Sequence, residues 1–419
     1  MPYEELVGLI KAAAAEAADY QERFAAVDTE ARKIVDVMER FLRVKGRLVY
    51  GGAAINAHLS PANKFYDPSL YLPDYDFMTP DPLQDCADLI VAFQSEGFSD
   101  VEAKFGIHEG TYKIFVNYRS AADITYMPPE IYERIIRDAA VIEGIHYASV
   151  DFLRMNIYVE LSRPAGNVER WPKVYERLLL LNEEHPLKAG RCVEDPVERL
   201  GEAGPGDKAT HGRIVGIGID EGAVFLSGAH MLADSKADPN PEEVVLLLTD
   251  KPGKLLGALA QALTLKQKPF PALGELLPAR TEVRVKGRLV AVVFETIACH
   301  NYTTLAEGYR MASLDLLIQM YFAMHFAELQ RYLSVRLLCV IQELIQMEHA
   351  SREKAVKNKI DAHDVFPLTC VGHQATMPEL KKAHRERVKA KRKELLGALR
   401  FQESFRARRK SKKAAPEKR

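Results

Sequence analysis

The chain has 419 residues, enough for two or three domains. Its 47% hydrophobic and 27% charged residues are the balance of a globular protein with sizeable cores, and they exclude a disordered, collagenous or disulfide-stapled chain. The formal net charge of −1 hides an asymmetry, because residues 381–419 carry 17 Lys or Arg and 4 Glu whereas residues 1–380 sum to −14. An acidic body with a basic tail indicates that the tail is a solvated segment that binds phosphate groups.

The lack of an expected signal peptide and the isolated cysteines indicate an intracellular protein. The five cysteines are isolated, without a CxxC pair or regular spacing, so they fit a reducing compartment and argue against a zinc module. The N-terminal sequence carries acidic residues early and lacks a basic region followed by an apolar core, so no signal peptide is expected. The most apolar stretch, 314–347, is interrupted by charged side chains and predicts a pair of buried amphipathic helices. We therefore expect a cytoplasmic protein.

Residues 1–190 follow a pattern of strands and helices. Residues 1–45 predict helices, and RLVYGG then predicts a short strand that ends in two glycines before the helical AAINAHL. DYDFMTPDP predicts a strand, with Asp81-Pro82 as the start of the next helix. Three β-rich stretches follow (VEAKFG, TYKIFVNYR and ADITYM), and helices are predicted over PPEIYERIIRDA, FLRMNIYVELS and RWPKVYERLLLLNEEHP. The pattern predicts a mixed sheet covered by helices, an α/β (α+β) fold.

A second unit follows a break rich in Gly, Pro and charge. It opens with RIVGIGI and AVFLSGAH, both of which read as strands. LVYGGAAINAHL resembles AVFLSGAHMLAD, DYDFMTPDPLQDCADLIVAF resembles VVLLLTDKPGKLLGALAQAL, and TYKIFVNYRSAADIT resembles TEVRVKGRLVAVVFET. We therefore hypothesise that the second unit is a degenerate copy of the first, with Val244 and Leu246 in place of Asp74 and Asp76. The predicted domains are 1–45 (helical segment), 46–190, 191–380 and 381–419 (basic tail).

The residues that carry chemistry lie in the first unit. Gly51 and Gly52, between a strand and a helix, let backbone N–H groups approach an anion. Asp74 and Asp76 alternate along a strand and so face one side, and Asp123 lies in a later apolar strand where a carboxylate is costly to bury alone. If these strands are neighbours, Asp123 lies about 4.8 Å from the pair, and three acids there suit two Mg²⁺ or Mn²⁺ ions for phosphoryl displacement. Each element alone is common at turns and strand ends, whereas their combination indicates a site.

Glycines, paired acids and a distal acid in this order resemble the DNA polymerase beta-like nucleotidyltransferase superfamily, although the 22 residues from Gly52 to Asp74 exceed the usual gap there. Residues 153–186, 296–324 and 366–392 resemble segments of poly(A) polymerase catalytic subunits of poxviruses and other large cytoplasmic DNA viruses, the giant-virus members more than the poxvirus ones. The resemblance spans about 40 to 400. It implies a nucleotidyltransferase fold with a mixed β-sheet, then a degenerate nucleotidyltransferase-like domain without the acids and C-terminal helices.

The resemblance also implies an activity, a template-independent polynucleotide adenylyltransferase that adds AMP from ATP to RNA 3′ ends. Asp74 and Asp76 would bind both metals, and Asp123 would complete the metal that activates the primer 3′-hydroxyl. Gly51 and Gly52 would cradle the triphosphate. The implied cofactors are two Mg²⁺ or Mn²⁺ ions, with ATP as substrate and the single-stranded RNA 3′ end as partner. The implied location is the host cytoplasm or the virion.

Several assignments stay open at this point. Arg154 and Lys173, in the segment after the sheet, are candidates for binding the nucleotide, with an ordinary surface role as the alternative. The residues do not set the base, so a CCA- or uridylyl-adding enzyme is an alternative, as is a non-catalytic RNA-binding processivity subunit. The basic tail fits an RNA arm or a nuclear-type localisation cluster. The resemblance implies a homodimer, or a cap methyltransferase-like processivity partner as in the poxvirus members.

Overall fold

We describe the protein from a computed structural model, in which two mixed β-sheets are each covered by helices, so the predicted mixed α/β fold is confirmed. The structure describes residues 3–26, 28–66, 73, 75–192, 208–228, 244–305, 308–333 and 336–393. Within these ranges no helix is both long and apolar enough to cross a membrane.

The first half contains seven helices and seven strands within the described residues. They are α1 (Tyr3–Ala26), α2 (Thr29–Lys45), β1 (Leu48–Tyr50), α3 (Gly51–His58), β2 (Tyr75–Thr79), α4 (Pro82–Ser95), β3 (Val101–Phe105), β4 (Thr111–Val116), β5 (Arg119–Tyr126), α5 (Pro129–Arg137), β6 (Ala140–Ile142), β7 (Ile145–Tyr147), α6 (Val150–Leu161) and α7 (Trp171–Glu184).

The second half, again within the described residues, also combines helices and strands. Its elements are α8 (Lys208–Asp220), β8 (Val224–Phe225), β9 (Val245–Thr249), α9 (Pro252–Ala262), β10 (Leu265–Phe270), β11 (Arg280–Val285), β12 (Arg288–Glu295), β13 (His300–Thr304), β14 (Arg310–Ala312), α10 (Leu314–Phe326), α11 (Leu337–Asn358), α12 (Ala362–Val365), β15 (Cys370–Val371) and a helix over 377–393 that we name α13.

Local signals explain where several helices begin and end. The Asp28 side chain accepts from the first backbone N–H groups of α2, and that helix ends at Gly46 with φ of 59°. The Asp81 side chain caps α4 and Pro82 stands in its first turn, as predicted. RIVGIGI, however, is not the predicted strand but part of α8. Its buried positions are Ile214 and Gly218, four residues apart, which is the spacing of one helix face.

The first sheet has the strand order β3-β4-β5-β2-β1-β7-β6. At its centre β2 runs parallel to β5 and antiparallel to β1, and β1 is parallel to β7. Alternate residues of the central strands, such as Phe77 and Ile124, are fully buried in the core. The intervening residues of β2 and β5 therefore line the opposite face of the sheet.

The second sheet repeats this topology. Its order is β10-β11-β12-β9-β8-β14-β13-β15, which is the first order with each strand number raised by seven and one edge strand added. Every equivalent pair has the same direction, and the pairs β4–β5 and β11–β12 even share a register irregularity. This supports the hypothesis of a degenerate copy, whose limits at 191–380 remain a prediction.

The two halves pack through helices. The apolar stretch 314–347 forms α10 and the start of α11, as predicted, and α10 packs along α6. Between α7 and the second half, the Trp171 ring lies 6.1 Å from that of Phe366, and the Arg352 guanidinium lies 4.8 Å from the centre of the Tyr175 ring. Trp171 thus acts as a packing anchor between the halves.

Four of the five cysteines form disulfides, which their spacing in the sequence does not indicate. Cys192 pairs with Cys339 and Cys299 with Cys370, while Cys86 is free and buried. The partners are 147 and 71 residues apart, so no local pattern signals them. Spacing along the chain therefore gives no sign of pairs that only the fold brings together, and the compartment inferred from that spacing stays a prediction.

Candidate functional site

Two carboxylates lie side by side on the central parallel strands. In the pairing of β2 with β5, Asp76 is opposite Asp123. Neighbouring strands are about 4.8 Å apart, and both aspartates are half-buried on the sheet face opposite the core residues beside them. The structure therefore brings together two of the three acids expected at the site.

The third acid, Asp74, lies outside the described residues. Within the ranges that the structure describes, no group of three or more His, Cys, Asp or Glu side chains is placed to hold a metal ion. The predicted set includes Asp74, so this absence has no bearing on it. The role of Asp74 remains a prediction.

Gly51 begins a helix at one of these carboxylates. Strand β1 places Tyr50 opposite Asp76, and α3 begins at the next residue. Gly51 has φ of +71°, and a Cβ added to it would lie 2.8 Å from Oδ2 of Asp76. No side chain caps α3 at Tyr50, so its first backbone N–H groups remain available to an anion. Only glycine fits a site where the backbone approaches a carboxylate so closely.

Gly52 faces an arginine that the sequence did not reveal. A Cβ on Gly52 would lie 3.1 Å from a terminal nitrogen of Arg177, which is on α7. The Arg177 side chain is buried, donates to the Tyr66 hydroxyl over 2.9 Å, and lies 4.3 Å from the centre of the Phe65 ring. A cation is thus held in place over Gly52.

Arg177 belongs to a basic face of α7. Arg170, which directly precedes α7, is followed at i+3 and i+7 by Lys173 and Arg177, the spacing that puts side chains on one side of a helix. The pKa of Arg170 is raised by its hydrogen bond to Glu160, with a smaller contribution from the charge of Asp76. This spacing is the signal that could have identified Arg177 from the sequence. Of the three, Lys173 was among the predicted site residues, and its side chain is exposed.

Arg154 has a different environment from that expected of a nucleotide ligand. Only 1% of its surface is exposed, and it donates to Asn182 over 2.7 Å and to the main-chain carbonyls of Leu181 and His185. It also forms an ion pair with Asp151. These partners connect α6 to the end of α7. We therefore assign Arg154 a structural role in holding these two helices together, and we leave it out of the proposed site.

The site concentrates negative charge. The hydroxyl groups of Tyr50 and Thr125 are 3.0 Å apart. Burial raises the pKa of the Tyr50 phenol, and the charges of Asp76 and Asp123 raise it further. The phenol therefore stays protonated. A cation bound at the acids would relieve this concentration of charge.

Sequence comparison relates this part of the chain to a known family. Residues 36–167 match the poly(A) polymerase catalytic subunit family. The matched segment runs from α2 past α6 and contains both glycines and all three acids. It covers about a third of the chain and stops before the basic face of α7.

Individual relatives are similar over the same share of the chain. A protein of Acanthamoeba polyphaga mimivirus described as a poly(A) polymerase catalytic subunit is 34% identical over 165 residues, which are 38% of this chain and 27% of that protein. One of African swine fever virus with the same description is 26% identical over 168 residues, 39% of this chain and 34% of that protein. The chain thus matches about a third or less of the length of these relatives.

The fold similarity extends over nearly the whole chain. The crystal structure of the Megavirus polyadenylate synthase superposes with a TM-score of 0.74, covering 94% of this chain and 84% of that one at 21% sequence identity. Both halves of the protein therefore share a fold with that structure, including the second half, which the family match does not reach.

The residues present fit a divalent cation. Carboxylate oxygens are the ligands that Mg²⁺ and Mn²⁺ prefer, and two of them face each other across adjacent strands. The space that a Cβ on Gly51 would fill lies directly against Asp76. A cationic group is already paired with Asp123, because the Lys113 ammonium of neighbouring β4 donates to its Oδ2.

We expect Lys113→Met to strengthen Mn²⁺ binding. Lys113 places a positive charge on a carboxylate that the metal also needs, so its removal ends that competition and should lower the Kd for Mn²⁺ by roughly tenfold, or about 1.4 kcal/mol. The measurement is a Mn²⁺ titration followed by electron paramagnetic resonance. Lys104→Met is the matched control, because Lys104 pairs with Glu102 on the edge strand β3. Equal Mn²⁺ affinity in both variants would show that Lys113 does not act on the site.

Proposed function

We propose that the protein is a template-independent polynucleotide adenylyltransferase that adds AMP from ATP to RNA 3′ ends, a poly(A) polymerase. The observation that carries this proposal is the pairing of Asp76 with Asp123 beside the strand–Gly–Gly–helix turn, within the segment that matches the poly(A) polymerase catalytic subunit family. The fold shared with a viral polyadenylate synthase supports it.

Each part of the site has a role in this reaction. Backbone N–H groups at the start of α3 bind the triphosphate, and the glycines let it come close to the main chain. Arg177 neutralises charge on the phosphates from its fixed position over Gly52, with Arg170 and Lys173 along the same helix face. The RNA 3′-hydroxyl then attacks the α-phosphorus in line, and pyrophosphate leaves.

Asp74, Asp76 and Asp123 are the residues that would hold two Mg²⁺ or Mn²⁺ ions. Such ions supply activation of the attacking hydroxyl and neutralisation of charge on the phosphates. The protein residues orient the reactants and hold the carboxylates on rigid central strands. We propose that the second half is catalytically inactive because it lacks these acids. At the register positions equivalent to Asp76 and Asp123, Leu246 pairs with Val292.

We expect Arg177→Gln to weaken ATP binding. Loss of a buried, positioned cation beside the phosphates should raise the KM for ATP by about tenfold or more, because charge-assisted hydrogen bonds to phosphate contribute roughly 1.5–3 kcal/mol. Steady-state kinetics with varied ATP would measure it. Arg177→Lys keeps the charge but not the planar fork, so it should recover part of the affinity. An unchanged KM with a lower melting temperature would instead assign Arg177 to packing alone.

Primer extension tests the function itself. A labelled single-stranded RNA would be incubated with Mg²⁺ or Mn²⁺ and each ribonucleotide separately. Long tails from ATP alone would support the proposal. Extension with CTP or UTP would keep the site and overturn the substrate, and RNA binding without any extension would favour a non-catalytic RNA-binding subunit.

We further propose that the protein acts in the host cytoplasm or the virion, as a homodimer or with a cap methyltransferase-like partner. The resemblance to viral enzymes supports this proposal. Light scattering on the purified chain would distinguish the two assemblies, because a homodimer needs no second protein.

A further inference from the structure

The basic tail begins as a docked helix. Along α13 the half-buried positions are Leu380, Ala383, His384, Arg387, Val388 and Lys391, the spacing of one helix face. That face meets the turn between β3 and β4 in the first half. His384 Nδ1 lies 3.0 Å from the carbonyl oxygen of Gly106, and Arg387 donates to that of Ile107 over 2.8 Å. The helix is therefore part of the folded structure and returns from the second half to the first.

The opposite face of α13 is strongly cationic. Six basic side chains on it are exposed, and within the described part of the chain none of them forms an ion pair. They are Lys381, Lys382, Arg385, Lys389, Arg392 and Lys393. The twelve steps from the first to the last extend over about 18 Å of helix. Glu386 is the single acid on this stretch.

The docking contacts of α13 lie next to a strand that pairs with the strand of Asp123. The turn that holds α13 leads into β4, where Lys113 is registered opposite Asp123. Thr111, the first residue of that strand, is two positions before Lys113, or about 7 Å along it. The first-half backbone that α13 contacts therefore lies within a few strand positions of the register of Asp123.

We propose that the exposed face of α13 binds the phosphate backbone of single-stranded RNA, an inference that rests on the proposed function. The charge pattern selects a polyanion, because residues 1–380 sum to −14 and α13 presents an unneutralised row of cations. The cationic stretch 381–393 exposes no large apolar side chain, and only Met377, in the first turn of α13, is exposed, whereas a membrane-surface helix needs a broad apolar face.

The test compares two variants of the full chain with equal net charge. The α13 variant carries Lys381→Gln, Lys382→Gln, Arg385→Gln and Lys389→Gln, which leave the docking face intact. The control carries Lys251→Gln, Lys266→Gln, Lys354→Gln and Lys357→Gln, four exposed lysines elsewhere. Binding of a labelled single-stranded RNA is followed by fluorescence anisotropy over a series of KCl concentrations without ATP, and melting temperatures verify that both variants fold.

We expect the α13 variant to bind RNA at least tenfold more weakly than the control at 0.1 M salt. Each lost phosphate contact removes about 0.7 from the salt slope, so four should lower it by nearly 3. A variant that exchanges Lys and Arg at the same four positions should bind like the wild type. Equal binding by the α13 variant and the control would overturn the proposal. So would poly-glutamate binding as tight as RNA binding and lost in the same variant, which would indicate an acidic protein partner.

A dinucleotide primer separates this proposal from the proposed function. It is too short to reach along α13, so the α13 variant should add AMP to it at the wild-type rate and be defective only on long RNA. If the wild type binds RNA through α13 but adds no nucleotide to any primer, the binding surface stands and the polymerase assignment fails.

Discussion

Asp76→Asn is expected to abolish nearly all nucleotide addition while leaving the fold intact. Asp76 is half-buried, its strand is registered with that of Asp123, and α3 begins against its carboxylate. Asn has the same shape but lacks the charge that a divalent cation needs. Loss of one such ligand should lower the rate by roughly 10³-fold, equivalent to about 4 kcal/mol of transition-state stabilisation.

A metal-binding readout makes the Asp76→Asn result specific. Saturating Mn²⁺ should raise the melting temperature of the wild type, because a ligand that binds only the native state stabilises it. In Asp76→Asn that rise should be lost, whereas Asp364→Asn, at an exposed position in α12, should retain both the rise and the activity. An inactive Asp76→Asn variant with an unchanged Mn²⁺ response would contradict a metal role for this carboxylate.

The arrangement of the acids could largely be predicted, because strand alternation is a local property. Alternation along β2 and β5 assigns Phe77 and Ile124 to the core and leaves Asp76 and Asp123 on the other face, as observed. That the two strands are neighbours is not local. The sequence leaves this as a condition, which the parallel pairing of β2 with β5 meets.

The repeat is a second case in which local patterns gave a long-range result. Similar strand and turn patterns in the two halves predicted a shared topology, and all seven equivalent strands have the same order. The strand predicted over RIVGIGI is wrong, because this segment is part of α8. Its β-branched residues are separated by glycines, a spacing that is compatible with a strand as well as with a helix.

Arg177 was missed for a physical reason. Basic residues are mostly exposed, so the helical spacing that groups Arg177 with other basic residues does not reveal that its guanidinium is buried against Phe65 and Tyr66. Those aromatic partners come from a segment more than a hundred residues away, and the contact exists only in the folded chain. Arg154 shows the converse, since a candidate chosen for its charge turned out to hold two helices together.

Gly51→Ala is expected to lower kcat by about 10²-fold without unfolding the protein. The added Cβ would lie 2.8 Å from Oδ2 of Asp76, closer than such contacts allow, so the carboxylate or the start of α3 must move. A displacement of about 1 Å at reacting groups is enough to lose this much activity. The left-handed backbone at φ of +71° adds strain of roughly 1–2 kcal/mol for any residue other than glycine.

Gly97→Ala separates the two effects of the Gly51 change. Gly97 also has a left-handed backbone, with φ of +89°, but a Cβ there would have no atom within 4 Å. Both variants should therefore lose a few degrees of melting temperature, whereas only Gly51→Ala should lose kcat. Equal kcat values in the two variants would mean that α3 can shift without disturbing Asp76. The glycine would then serve the turn alone, and the close approach of α3 to the carboxylate would have no part in catalysis.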